Sequence, residues 1–187
     1  MDLEYCHAVL ERAGVEFGPG LTPAEFEAAE ARFGLTFPPD LRSFLAFALP
    51  TNGRVPTWRD LENPGLMNMM GWPLEGMCFD IEHNDFWPRE RGERPAGLSE
   101  AFEIARGHVA RAPKLIPVFG HRYLPDRPAT AGNPVFSVYQ TDIIYYGSDL
   151  ENYLHKEFYY YFGTPDYALG TSIRDIEFWS WFVDLNE

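Results

Sequence analysis

Along the first fifty residues apolar side chains return at every third or fourth position, the spacing of a buried helical face. Leu3, Cys6, His7 and Leu10 share one face of a short helix predicted to end near Gly14. Thr22-Pro23-Ala24-Glu25 then combines a capping hydroxyl, a proline at the first helical position and a glutamate able to bond back to the cap amide. The helix it opens turns Phe26, Ala29 and Phe33 inward and stops at Gly34. After the extended link Leu35-Thr36-Phe37-Pro38-Pro39, a third helix over 40–49 carries Leu41, Phe44, Leu45 and Ala48 on its inner face, so the two form a helical hairpin.

Residues 56–73 mix Trp58, Leu61, Leu66, Met69, Met70 and Trp72 with Gly and Pro, and read as an irregular segment with a short helix. Met77 to Ile81 alternates and reads as a strand, 85–97 reads as an exposed charged loop, and 99–111 as a helix capped by Ser99 and closed by Pro113. The period then changes. Residues 114–119, 134–139 and 142–146 read as strands, the last two joined through Gln140-Thr141 as a hairpin. Ser148-Asp149-Leu150-Glu151 opens a helix with Leu150, Tyr153, Leu154 and Phe158 inward. A turn at 163–170 leads to a final aromatic helix over 173–185 through Ile176, Trp179, Phe182 and Val183. Helices, then strands, then helices describe one α+β domain.

At 187 residues, 45% apolar and 23% charged, the chain has the composition of a folded domain. The formal charge of −13 opposes non-specific attraction to nucleic acid and to anionic membrane, and leaves a cationic partner, or none, as the expectation. The excess is uneven: residues 1–50 carry 8 acidic and 3 basic groups, 51–100 carry 9 and 5, 101–150 carry 4 and 5, and 151–187 carry 7 and 2. The predicted strand region is near neutral and the helical parts are acidic. Cys6 and Cys78 form no CxxC pair, the first residues are acidic, and no apolar run approaches a membrane span, so a reduced, cytoplasmic setting is expected.

Leu21-Thr22-Pro23-Ala24-Glu25, Ala29-Glu30-Ala31-Arg32-Phe33-Gly34-Leu35, Phe37-Pro38-Pro39-Asp40-Leu41-Arg42-Ser43-Phe44-Leu45 and the closing Asn52-Gly53 together resemble the SUKH superfamily. That superfamily includes a yeast cell-wall-synthesis regulator and many bacterial immunity proteins that neutralise toxins. Leu115-Ile116-Pro117-Val118, Pro134-Val135-Phe136 and Tyr146-Gly147-Ser148-Asp149-Leu150 extend the likeness, which covers about residues 20–160. Two stretches depart from it: 58–87 is longer than the family's Gly-rich strand region, and the helical segment 171–187 lies beyond it. The resemblance implies a mixed, mainly antiparallel sheet flanked by helices, and a binding protein with no catalytic residues and no cofactor.

The chain has no GxxxxGK[ST], GxSxG, HExxH or GxGxxG motif. Asp80-Ile81-Glu82-His83-Asn84-Asp85 alternates carboxylates with an imidazole, which could ligate a metal or form the solvated face of an edge strand. His121-Arg122-Tyr123 follows an apolar strand, and two readings stand: a recognition pocket, or a loop brace in which Arg122 pairs with Asp126 or Asp142. Tyr145-Tyr146 and Tyr159-Tyr160-Tyr161 cannot all point inward, so some rings are expected to be exposed, either as interface anchors or as ordinary surface tyrosines. The candidate partner-binding residues are Asp80, Glu82, Asp85, Trp87, His121, Arg122, Tyr123 and Tyr145. The leading expectation is an immunity protein that binds a basic toxin domain, with no bound metal or cofactor. Its rivals are a scaffold in cell-wall or signalling assembly and a metal-dependent hydrolase centred on Asp80, His83, Asp85 and His121.

Overall fold

The computed structural model describes residues 1–88, 92–163, 168–170 and 172–186. Helix α1 (Leu3–Arg12) is capped by Asp2, whose side chain accepts from Tyr5 N. A short strand β1 (Phe17–Pro19) precedes α2 (Pro23–Phe33), where both halves of the Thr22/Glu25 capping box form. The hydrogen bond from Arg59, then those from Thr22, hold the Glu25 carboxyl down at about 2. Gly34 closes α2 in the left-handed region at φ 62°. Helix α3 (Pro39–Phe47) starts with Pro39 in its first turn. It stops two residues before the expected end, because Ala48–Pro50 extends as β2 and pairs antiparallel with β1.

The largest departure from the sequence reading lies between 64 and 83. One helix, α4 (Pro64–His83), replaces both the irregular segment and the strand expected at 77–81. Asn63 caps it by accepting from Gly65 N, and Pro64 suits the first turn. Pro73 ought to break it, since a proline has no N–H for the carbonyl four residues back. That carbonyl belongs to Met69, and Tyr123 Oη donates to it at 2.8 Å. The apparent alternation at 77–81 is then the i, i+4 pair Met77 and Ile81 facing inward with Phe79 facing out.

Helix α5 (Leu98–Arg111), begun at Gly97 rather than Ser99, lies against α4. The sheet follows as β3 (Leu115–Phe119), β4 (Arg122–Pro125), β5 (Val135–Tyr139) and β6 (Asp142–Gly147), in the order β3-β4-β5-β6 and antiparallel throughout. Strand β4 was read from sequence as part of a loop. The two-residue hairpin at Gln140-Thr141 forms as expected, with Gln140 at φ 58°. Helix α6 (Leu150–Glu157) is capped by Asp149 rather than Ser148, the single turn α7 (Tyr159–Phe162) follows, and α8 (Trp179–Asn186) lies along β6. The last helix begins six residues later than expected. Residues 89–91 of the predicted charged loop and 164–167 of the predicted turn lie outside the described residues.

The chain is therefore α+β, with its larger sheet between two helical layers. Ile116, Leu124 and Val135 pack with α1, α2, α3, α6 and the fully buried Trp58. Leu115, Tyr123, Phe136, Val138 and Ile143 pack on the other side with α4, α5 and α8. The adjacent β3 and β4 residues go to opposite layers, as the pleat requires. Trp179 Nε1 donates to Pro113 O at 2.7 Å and ties α8 to the start of β3. No helix among the described residues is long and apolar enough to cross a membrane.

Candidate functional site

Helix α4 and the β5–β6 turn meet at a glycine. A Cβ on Gly76 would sit 2.7 Å from Gln140 Cα, so only the bare backbone lets the turn come this close. One helical turn further on, Asp80 Oδ2 accepts from Thr141 N at 2.8 Å and from Thr141 Oγ1 at 2.6 Å, while its Oδ1 accepts from Asn84 Nδ2 at 2.6 Å. Asp80 is 5% exposed. The structure thus corrects the expectation that it lies on a solvated strand: it clamps the turn onto the helix and is not available to a partner.

The clamp fixes a surface that the sequence reading missed. Trp72, Glu75, Phe79, Glu82 and His83 recur at three- and four-residue intervals and line the exposed side of α4. Trp72 is 39% exposed, Phe79 45%, and Tyr139 at the end of β5 57%. Trp72 and Tyr139 have ring centroids 6.3 Å apart, and Trp72 Nε1 donates to Val138 O at 3.0 Å, which pins the indole to the strand end. Phe79 and His83 lie 4.5 Å apart. Exposed Glu75 and Glu82 sit on the same helix face, and exposed Asp142 pairs with Tyr139 across the hairpin. Three aromatic rings held on a rigid helix and turn, with carboxylates around them, have the make-up of an interface centre and its polar rim. Of these residues only Glu82 is a partner-binding candidate from the sequence, and His83 enters there only in the metal-dependent reading. The signal was present as Trp72-x2-Glu75-x3-Phe79-x2-Glu82, but it is visible only once 64–83 is one helix.

His121, Arg122 and Tyr123 do not act together, because β4 alternates. His121 and Tyr123 face a cleft of about 320 Å³ between α4 and the β3–β4 turn, whose walls also include Arg54, Asn68, Met69, Trp72 and Tyr139. Tyr123 is 1% exposed, so only part of its ring borders the cleft, and its hydroxyl is committed to Met69. Arg122 turns to the opposite layer. Its guanidinium carbon lies 3.7 Å from the Tyr146 ring centre, its Nε is 3.3 Å from Glu157 Oε2, and an Nη donates to Ser137 Oγ at 2.9 Å and also contacts His121 Nε2. Lys156 Nζ lies 4.5 Å from the same Tyr146 ring. The expected pairing of Arg122 with Asp126 or Asp142 is corrected to Glu157; Asp126 instead accepts from Lys114 N at 2.7 Å. Burial, then the charges of Arg122 and Arg54, push the His121 imidazole below its ordinary value.

The remaining candidates are dispersed. Asp85 is exposed and pairs with Arg94 at 2.8 Å. Trp87 is half-buried against the Ile81 and Phe182 cluster and donates to Gly92 O at 2.9 Å. Tyr145 stacks on Phe136 at 5.3 Å and donates to Ser180 Oγ at 2.5 Å, so it braces α8 against the sheet. With Asp80 held by Thr141 and Asp85 by Arg94, no group of three or more His, Cys, Asp or Glu side chains among the described residues could hold a metal ion. No family model, curated protein or solved structure matches the chain.

Proposed function

We propose that this chain is a non-enzymatic protein-binding module and, in keeping with its resemblance to the SUKH superfamily, a cytoplasmic immunity protein that binds and neutralises a bacterial toxin domain. The observation that supports this reading is the exposed Trp72, Phe79 and Tyr139 set among Glu75, Glu82 and Asp142 on a helix and hairpin locked together by Asp80. Large rings with few rotatable bonds make good anchors because little side-chain entropy is lost on docking. The carboxylate rim, in a chain of −13, suits a basic partner and gives salt-sensitive, accelerated association.

Co-expression supplies the test. When the chain is produced together with a toxin domain encoded beside its own gene, growth is expected to be restored, and the two proteins are expected to elute as one complex. A folded, well-expressed chain that neither restores growth nor co-elutes with any neighbouring toxin would reject the immunity reading.

A further inference from the structure

The cleft beside the aromatic face is lined by Arg54, whose guanidinium has no hydrogen-bond or ion-pair partner among the described residues. Arg54 leaves β2 in a loop whose carbonyl accepts from Gly120 N at 2.7 Å, so the backbone of Arg54 is fixed against the β3–β4 turn. Its stem lies over Gly120, where a Cβ would touch Arg54 Cδ at 3.5 Å. Among the described residues the other arginines, apart from Arg12, have their guanidinium groups engaged: Arg59 with Glu25, Arg94 with Asp85, Arg122 with Glu157, and Arg174 with Asn133, for example. Arg54 has no such partner among them, and it borders a cavity. His121 lines the same cleft, and its Nε2 contacts Arg122.

The same cleft is lined by apolar and aromatic side chains: Trp72 and Tyr139, their ring planes inclined at 57°, together with Met69 and Asn68. At about 320 Å³ the cleft falls at the lower end of the range for small-molecule sites, and its lining holds both a cationic donor and ring faces. An uncompensated guanidinium next to aromatic faces selects a ligand that has a carboxylate and a flat apolar body. We propose that this cleft binds a small aromatic carboxylate, its anion on Arg54 and its ring against Trp72 and Tyr139.

The site shares two rings with the face assigned to a protein partner, but its test uses the isolated chain and leaves that assignment untouched. Phenylacetate, phenylacetamide and acetate are titrated by calorimetry and by proton–nitrogen correlation spectra, the indole resonance of Trp72 being identified with the Trp72→Phe variant. Phenylacetate is expected to shift that resonance in a saturable manner, and phenylacetamide and acetate to bind at least about tenfold more weakly. Arg54→Gln, at an exposed position, is expected to weaken phenylacetate by a similar factor while unfolding at the same temperature. Absence of any shift at about 10 mM phenylacetate, equal binding of acid and amide, or undiminished binding by a folded Arg54→Gln would each overturn the proposal. The acid and amide comparison on the unaltered chain decides the matter even if the variant fails to fold.

Discussion

Replacing Trp58 with alanine is expected to lower the free energy of unfolding by about 3–5 kcal/mol, the usual cost of emptying a large aromatic site in a close-packed core. Trp58 is 1% exposed, and its ring meets Phe37 edge-on at 5.0 Å and Phe33 at 6.1 Å. It belongs to the layer formed by Phe26, Leu41, Leu45 and Leu66, so it is the buried link between the irregular segment before α4 and the helical hairpin, beside the surface ion pairs Arg59–Glu25 and Arg32–Glu62. Trp58→Phe is expected to cost much less, about 1.5 kcal/mol or under. The buried Trp58 Nε1 has no hydrogen-bond partner among the described residues, so phenylalanine also removes an unsatisfied donor. Urea unfolding at constant slope measures both. A loss below about 1 kcal/mol for the alanine variant would show that the hairpin does not depend on this contact.

Asp80→Ala is expected to destabilise the protein by about 3 kcal/mol, because Thr141 N–H, the Thr141 hydroxyl and the Asn84 amide lose their common acceptor in a site that is 5% exposed. Asp80→Asn keeps an oxygen for Thr141 and is expected to cost about 1 kcal/mol. The pattern separates two roles for this residue. A clamp loses stability first, and partner affinity follows only through the displaced turn, whereas a contact residue would lose affinity at unchanged stability. Thermal unfolding of the alanine variant at the temperature of the parent would contradict the clamp.

The places where the sequence could and could not be read have physical causes. Thr22 and Glu25 act through a local backbone motif, and the Gln140-Thr141 hairpin joins adjacent strands, so four or five residues were enough to specify each. Helix α4 was not legible because Pro73 is an adverse local signal whose cost is offset from far along the chain, by the hydroxyl of Tyr123 on Met69. Once that helix was read as loop and strand, Asp80 appeared solvated and the Trp72 to Glu82 stripe could not be seen. Strand β4 was missed for a related reason: Arg122 seemed a sign of a loop, yet its charge is met by Glu157 on α6, which no local window contains. His121 and Tyr123 border a cleft, whereas Arg122 between them faces the other way. Trp87 and Tyr145 carried the features of interface anchors but are bound internally to Gly92 and Ser180.

The most direct test of the proposed immunity role is the affinity of the chain for any toxin domain found encoded beside its gene, determined by calorimetry for the parent and for Trp72→Ala, Phe79→Ala and Tyr139→Ala. These rings are 39%, 45% and 57% exposed, so their truncation should leave the unfolding temperature nearly unchanged. At least two of the three variants are expected to bind about thirtyfold or more weakly, as central aromatic anchors do. Affinities within a factor of about two of the parent for all three would contradict binding through this face.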